Sequence, residues 1–292
     1  MSNKLYLECY SGISGDMTVA ALLDLGADQQ VLLEGLESLN LPGYQLKIGR
    51  VKKNGIDACD FDVILDEPEH HHDHDHEHDH DHDHDHDHEH DHDHDHEHHH
   101  HEHDHEHEHH HDHEHHHHHD HVHRNIGDIF AIIDQSKISD RAKQTAKDIF
   151  RIIAAAESKA HGIAEDQVHF HEVGAVDSIV DIVSAAICLD NLDITEAVVS
   201  DLYEGCGYVH CQHGLMPVPV PAVVNIAADN ALRLRLTQTR GEMITPTGAA
   251  IAAYLSKGGK LPESFVIEKI GLGAGKKDFA TANILRAFLI RD

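Results

Sequence analysis

A run of histidines interleaved with aspartate and glutamate occupies residues 70–123 of the 292-residue chain. It holds 33 of the 38 histidines and 20 of the 53 acidic residues, and it has no Lys or Arg. Near neutral pH most imidazoles are uncharged and can donate a lone pair to a metal, while the carboxylates raise the local cation concentration. Imidazole suits nickel, zinc, copper and cobalt alike, so the run predicts a late transition metal without selecting one.

This histidine-rich insert, residues 69–123, lacks the apolar side chains that a packed core requires, and we expect it to be disordered. A metal store without catalysis is the main alternative to a delivery role, and a solvated spacer is another. We take as representative metal ligands His70, His71, His72, His74, His76, His78, His80, His99, His100, His101, His117, His118 and His119.

A second group of potential ligands lies in the sequence HFHEVGAVDSIVDIV. If its start is extended, His169 and His171 point to one side and Glu172 follows at the turn, which makes these three residues candidates for metal transfer and proton transfer. Asp177 and Asp181 are four residues apart and share a helix face, where they can hold Mg²⁺ or Mn²⁺. The alternative is that Asp177 caps the helix and the histidines are buried hydrogen-bonding residues.

The sequence YSGISGDMT places glycines and serines between a predicted strand and a predicted helix. Backbone amides and the positive end of the helix can bind an anion there, so Ser11, Gly12, Ser14 and Gly15 are candidate phosphate-binding residues. The lysine of a Walker loop is missing from this sequence. Asp16 would repel a phosphate unless a metal ion bridged the two, and we therefore group it with the metal ligands. A simple tight turn explains the same residues without a ligand.

A second possible phosphate seat is the sequence TPTGAA. Thr245 is expected to cap a helix with proline at its first position, and Thr247 and Gly248 lie beside the exposed amides. Capping alone accounts for this sequence equally well.

The spacing of Cys206, His210, Cys211 and His213 suggests a zinc site, but side chains so close in sequence reach tetrahedral geometry only around a sharp bend. We expect one or two of them to face a site. The sequence MPVPVP that follows is expected to be an extended, polyproline-like arm.

The formal net charge of −31 is divided unevenly along the chain. Outside the insert, 22 basic and 33 acidic residues leave −11. This balance argues against nucleic acid or an anionic membrane as the main partner, since both are bound through basic patches. Five scattered cysteines, the lack of a signal sequence and the lack of an 18-residue apolar run predict a soluble cytoplasmic protein with reduced thiols.

The apolar periodicity predicts a mixed α/β (α+β) fold. Before the insert, a strand, a helix ending on Gly26, a second helix and two strands joined at Asn54–Gly55 are expected. After it, three helices are followed by strands ITEAVVS, SFVIEKIGL and ANILRAFLI and by two helices that begin with proline. We expect two lobes, residues 1–68 and 124–292, on either side of the insert.

Five segments of the chain together resemble the LarC family of nickel-insertion proteins, which mature the lactate racemase cofactor. They are LYLECYSGISGDM, HFHEVGAVDSIVDIV, HGLMPVPVPA, GEMITPTGAA and GLGAGKKDFATANILR. They occur in the family's order from one end of the chain to the other, and histidine-rich inserts occur at the same place in the family. Glu8 stands where the family has Asp, and ATAN stands where a proline is common.

The resemblance implies a cytoplasmic nickel chelatase. It would insert Ni²⁺ into pyridinium-3,5-bisthiocarboxylic acid mononucleotide through two Ni–S bonds and one Ni–C bond, with CTP and Mg²⁺ or Mn²⁺. It also implies lactate racemase as the recipient of the cofactor. Family members continue beyond GAGKKDF into a region associated with CTP, so we expect the C-terminal LarC region or a longer form to be needed. A homo-oligomer is expected on general grounds.

Two other classes of function compete with the chelatase. A nickel storage or chaperone protein would bind metal without forming an organonickel product. A metal-dependent nucleotide hydrolase would release nucleoside phosphate without the pyridinium substrate.

Overall fold

A six-stranded mixed sheet lies at the centre of the protein in the computed structural model, which describes residues 3–66, 124–168, 176–211 and 213–291. The strands within these residues are β1 (Asn3–Glu8), β2 (Tyr44–Lys53), β3 (Ile56–Leu65), β4 (Ile194–Val199), β5 (Leu202–Cys206), β6 (Tyr208–Cys211), β7 (Gly214–Pro217), β8 (Leu234–Arg240), β9 (Val266–Ala274) and β10 (Ile284–Arg291). The α-helices are α1 (Gly15–Leu25), α2 (Gln29–Glu37), α3 (Ile126–Gln135), α4 (Asp140–His161), α5 (Val176–Asn191), α6 (Pro221–Asp229) and α7 (Pro246–Leu255). The expected mixed α/β fold is confirmed.

The central sheet takes strands from both sides of the insert, in the order β2-β3-β9-β10-β1-β4. β3 pairs in parallel with β9, and β1 pairs antiparallel with β10 and parallel with β4. Residues 3–66 and the described residues after 123 therefore share one sheet and one core, which differs from the two lobes expected from the sequence. Pairing between distant strands leaves no periodic pattern in the sequence. The expected boundary between two lobes therefore rested only on the change of amino-acid composition at the insert.

Alternation along the strands gives the sheet two different faces. Leu5 and Leu7 of β1 belong to the main core, whereas Tyr6 packs with Val198 and Phe288 in a separate cluster on the other face. Helices α1, α5 and α7 contact the sheet on the main-core side, and α4 packs against α5, α6 and α7. One face is thus covered by two helical layers.

Glycines on β9 allow α1 to lie unusually close to the sheet. A Cβ atom added at Gly273 would lie 2.0 Å from the carbonyl oxygen of Met17, and one at Gly271 would lie 2.2 Å from that of Ala21. Because these contacts are with helix backbone, no side chain can move aside to make room. The glycines of the GLGAG sequence therefore fix the position of α1 and of the loop before it.

Side chains cap helices α2, α3 and α4. Asp28 accepts from the amides of Gln30 and Val31 at the start of α2, and Ser139 accepts from Ala142 at the start of α4. Asn125 forms a capping box at the start of α3. In the described part of the chain, no helix is long and apolar enough to cross a bilayer.

Strand β4 was expected from the sequence, but the strands between β4 and α7 were not. β5 and β8 form a parallel pair, and β6 and β7 form a hairpin in which Val209 lies opposite Met216. The start of MPVPVP is therefore a hairpin strand rather than a free polyproline arm. Paired backbone groups in the hairpin replace the solvated backbone of a polyproline helix.

Candidate functional site

The amino-terminal ends of α1, α5 and α7 meet at one cavity of about 480 Å³. Of the residues singled out in the sequence, those that line it are Ser14, Gly15, Asp16, Asp177, Asp181, His210, Cys211, Thr245 and Thr247. Unpaired amides and the helix dipole make each helix start electropositive. Three such starts at one cavity favour a ligand that carries negative charge.

Backbone hydrogen bonds join the loop before α1 to the loop before α7. The amide of Ile13 donates to the carbonyl of Met243 at 3.0 Å, and the amide of Thr245 donates to the carbonyl of Ile13 at 3.1 Å. Gly12 has φ +88°, and a Cβ there would lie 2.0 Å from the Met243 oxygen. A Cβ at Gly248 would lie 2.2 Å from the Ile13 oxygen. These two glycines let the loops approach each other closely.

A pair of carboxylates, Asp16 and Asp181, lies at the centre of the cavity. The backbone amide of Asp16 donates to the Asp181 carboxylate, and Ser14 Oγ donates to the Asp16 carboxylate. Burial raises the pKa of Asp181 well above its ordinary value, and the charges of Asp16 and Asp177 raise it further. Burial also raises the pKa of Asp16 and of Asp177. Each additional negative charge is therefore costly here unless a cation accompanies it.

Two carboxylate oxygens at this site have no hydrogen-bond partner within the described structure. They are Oδ1 of Asp177 and Oδ1 of Asp181, and both are buried. Gly15 allows the Asp181 carboxylate to come this close to α1, because a Cβ at Gly15 would lie 2.5 Å from Asp181 Oδ2. Buried acceptors without donors are what a bound cation would satisfy.

Lys276 supplies positive charge to the same cavity. Its Nζ atom lies 2.8 Å from Asp60 Oδ1 and 3.2 Å from Asp62 Oδ1, both on β3. Its charge acts to lower the pKa of Asp16 and of Asp181, against the larger effect of burial. Lys276 also lines an adjoining cavity of about 180 Å³. The Lys276 ammonium group therefore lines both cavities.

Glu204 anchors the loop before α7 through backbone amides. Its side chain is fully buried, and Oε1 accepts from the amides of Met243 at 2.7 Å, Gly205 at 2.7 Å and Ile244 at 3.3 Å. Burial raises its pKa to about 7, although these three hydrogen bonds act to lower it. The same glutamate thus fixes the segment that carries Glu242 and Thr245 to the cavity wall.

Other residues singled out in the sequence are elsewhere. Ser11 lines a different cavity, with Glu8 and Arg286. Three candidates, His169, His171 and Glu172, lie outside the described residues, as do all the histidines of the insert.

Several cavity residues were missed or left without a role in the sequence. Asp62, Glu242 and Lys276 line the cavity, as do His210 and Cys211 of the β6–β7 hairpin. Two features of the sequence could have indicated these residues: the alternating acids Asp60 and Asp62 on β3, and the two lysines that follow the GAG sequence.

No three His, Cys, Asp or Glu residues are grouped to hold a metal ion within the described ranges. Cys206, His210, Cys211 and His213 therefore do not assemble a zinc site there. Mg²⁺ has different needs, because it commonly binds one or two protein carboxylates together with waters and ligand phosphates. The Asp177 and Asp181 oxygens meet that smaller requirement.

Helix starts, paired carboxylates and a lysine around one cavity of a mixed α/β fold are features suited to an anionic ligand accompanied by a cation. The family model described as nickel insertion protein matches residues 5–292, and the chain belongs to this family.

Relatives named pyridinium-3,5-bisthiocarboxylic acid mononucleotide nickel insertion protein match almost the entire chain. The protein of Alkaliphilus metalliredigens is 59% identical over all of this chain and 61% of its own length. That of Clostridium acetobutylicum is 44% identical, over 98% of this chain and 63% of its own length. That of Acetivibrio thermocellus is 37% identical, over 98% and 60%. The chain thus spans about 60% of the length of these relatives, and no solved structure matches it.

Proposed function

We propose that this chain carries out nickel insertion into pyridinium-3,5-bisthiocarboxylic acid mononucleotide, as a nickel chelatase. Nickel is the substrate ion, and the product is the nickel pincer cofactor of lactate racemase. The observation that carries the proposal is the cavity at the starts of α1, α5 and α7, where Lys276 and a carboxylate pair lie together in a member of the nickel-insertion family.

The mononucleotide is an anion, and the cavity offers complementary groups. The amides at the starts of α1 and α7, next to Ser14 and Thr245, would bind its phosphate. Lys276 would neutralise the remaining negative charge at the point where the two cavities meet. Thr247 would add a hydroxyl to the same wall.

Nickel insertion requires one proton transfer. The ring C–H bond breaks, its electron pair forms the Ni–C bond and its proton passes to a base, while two sulfur atoms bind the same nickel ion. We assign base and metal-transfer roles to His169, His171 and Glu172, because neutral imidazole can perform either role near pH 7. In the sequence these residues come shortly before Asp177.

The acidic residues of the cavity fit a divalent cation that accompanies a nucleotide. Within the described structure, Asp177 and Asp181 each have a buried oxygen without a hydrogen-bond partner, and Asp16 lies against Asp181. We assign Asp177 and Asp181 to a Mg²⁺ or Mn²⁺ ion that accompanies CTP, with Asp16 as the third carboxylate beside the ion; water and nucleotide phosphates would complete its coordination. The cation would neutralise the carboxylates and the phosphates that it joins.

We assign nickel supply to the histidine-rich insert, and the assignment of nickel rests on the family. We further propose that the chain acts in the cytoplasm, since Cys9, Cys59 and Cys188 are buried thiols. The C-terminal region of longer relatives is the expected partner, lactate racemase the downstream recipient, and a homo-oligomer the expected assembly. Nickel storage is the competing function, because the insert alone could perform it.

Substitution of Lys276 by Gln tests the site. We expect the substrate concentration needed for half-maximal product formation to rise at least about tenfold, because a charge-assisted hydrogen bond is lost. Lys269→Gln, an exposed residue of β9, is the matched control and should behave as the wild type. Equal behaviour of the two variants would remove Lys276 from the substrate site.

The assays should be run with the chain alone and with the C-terminal region of a relative added. A separate variant, His171→Ala, should lose product formation while bulk nickel binding stays intact. Unchanged turnover would remove His171 from the chemistry.

A further inference from the structure

A second cavity, of about 410 Å³, lies beyond the carboxyl ends of two parallel strands of the central sheet. β1 and β4 are parallel neighbours, and both end at this edge. Tyr10 follows β1, and Ser200 and Asp201 follow β4. Ligands of open α/β sheets commonly bind in the crevice outside such strand ends, and the volume is within the range of small-molecule sites, about 300–1,000 Å³.

Two tyrosines form an aromatic wall of this cavity. The ring centroids of Tyr10 and Tyr203 are 4.9 Å apart, with an angle of 52° between the planes. Tyr10 leaves 49% of its surface exposed although it adjoins the fully buried Cys9. An exposed ring held beside a second ring provides a surface on which a planar ligand can stack.

The cavity also concentrates positive charge in an acidic chain. Arg233, Arg235 and Lys260 line it, and Asp201 is the acidic lining residue. Arg235 Nε donates to Asp201 Oδ2 at 2.6 Å, and the guanidinium lies 6.0 Å from the centre of the Tyr203 ring. Within the described part of the chain, no ion pair engages Arg233 or Lys260. Two cations are therefore available to an anion.

Backbone hydrogen bonds hold the segments that carry these side chains in place without a ligand. The amide of Tyr203 donates to the carbonyl of Cys9 at 3.1 Å, and the amide of Leu202 donates to that of Arg233 at 2.8 Å. The amide of Ser200 donates to the carbonyl of Leu7 at 3.0 Å. The backbone that carries Tyr203 and Arg233 is thus fixed to the end of the sheet, which lowers the ordering cost of binding.

We propose that this cavity binds a mononucleotide, with its planar ring on Tyr10 and Tyr203 and its phosphate on Arg233 and Lys260. A ring and a phosphate joined by a sugar match an aromatic wall next to two available cations. A pyrimidine nucleotide and a pyridinium mononucleotide share this chemistry, and the experiment separates them. The site is distinct from the cavity at the helix starts and does not depend on nickel insertion.

Isothermal titration calorimetry without nickel tests the proposal. The probes are CMP, CTP and nicotinic acid mononucleotide, with cytidine and inorganic phosphate as the two halves of the ligand. We expect at least one nucleotide to bind at least about tenfold more tightly than either half. The nucleotide that binds identifies the source of the ring.

Variants locate the binding. Tyr10→Leu and Arg233→Gln should each weaken nucleotide binding by about tenfold or more, through lost stacking and a lost charge-assisted contact. Arg240→Gln is the matched control, since Arg240 is exposed on β8 and lies outside the cavity. Circular dichroism and Tm show whether each variant is folded.

Three results would overturn the proposal. The first is no nucleotide binding at millimolar concentration, and the second is binding no tighter than that of inorganic phosphate. The third is equal affinity of folded Tyr10→Leu, Arg233→Gln and wild type. The Tyr10 and Arg233 variants leave every lining residue of the first cavity unchanged, so they test this site separately from nickel insertion.

Discussion

Asp181→Asn is expected to stabilise the protein while it abolishes cation binding at the candidate site. Asp181 has a buried carboxylate oxygen without a hydrogen-bond partner among the described residues, and it lies against Asp16. An amide side chain keeps an oxygen that can accept from the Asp16 amide, and it removes one negative charge. A buried polar group left unsatisfied costs about 1–3 kcal/mol. We take about 1–2 kcal/mol for Asp181, because the residue is only partly buried.

The expected gain at pH 7 corresponds to a Tm increase of roughly 2–8 °C for a domain of this size. The gain should depend on pH in a defined direction. The folded-state pKa of Asp181 is raised above 3.8, so the wild type loses stability as pH rises from about 3.8 through the folded pKa. The advantage of the variant should therefore vanish near pH 3.5 and be complete above the folded pKa.

Differential scanning fluorimetry over this pH range, with and without Mn²⁺, measures both effects. Mn²⁺ should raise the Tm of the wild type and leave that of Asp181→Asn nearly unchanged. Asp166→Asn, at an exposed position before α5, provides a control for the substitution itself. A variant that is less stable than the wild type at pH 7, or that responds equally to Mn²⁺, would refute the assignment of Asp181 as a strained metal-binding carboxylate.

Three further predictions follow from other parts of the molecule. Gly273→Ala should lower the free energy of unfolding by about 1–3 kcal/mol, because the added Cβ would lie 2.0 Å from the Met17 oxygen. The control Gly49→Ala, whose Cβ would have nothing within 4 Å, should change it by less than about 0.5 kcal/mol. Chemical denaturation measures both. In the wild type, ionisation of the buried Glu204 carboxyl lowers the free energy of unfolding by up to about 3 kcal/mol as the pH rises from 4.5 to about 7. Glu204→Gln should remove this fall. An unchanged pH profile of stability would contradict the raised pKa of Glu204. Deletion of residues 70–123 should lower nickel stoichiometry in equilibrium dialysis and slow product formation only at scarce nickel, and loss of activity at saturating nickel would instead make the insert catalytic.

Local features of the fold could be predicted from the sequence because their causes are local. The hairpin of β2 and β3 follows from Asn54 and Gly55, which both adopt positive φ, 49° and 83°, as the tight turn of a hairpin requires. The helix starts at Ser139 and Thr245 follow from side chains that accept from the first free amides. Each of these signals lies within a few residues of the structure it specifies.

Long-range features could not be predicted in this way. The pairing of β3 with β9 joins Cys59 to Gly273, and no periodic pattern links two segments so far apart. The short strands β5 to β8 were missed for a related reason, since their burial alternates over only four to seven residues.

The candidate site was predicted in parts rather than as a whole. Asp16 and Thr245 were identified from their helix starts and Asp181 from its spacing to Asp177, and only the fold shows that they share a cavity. Lys276 was missed because a lysine in a polar turn resembles any solvated charge. Its position depends on Asp62, which contacts it from β3, the strand next to β9.

Mass spectrometry of the small molecules tests the central claim most directly. The chain, alone and with the C-terminal region of a relative, is incubated with Ni²⁺, Mn²⁺, CTP and pyridinium-3,5-bisthiocarboxylic acid mononucleotide. We expect a new mononucleotide with the nickel isotope pattern, one nickel per molecule, that activates lactate racemase. Nickel that stays on the protein without any such product, with both forms folded and nickel saturating, would contradict nickel insertion and support storage.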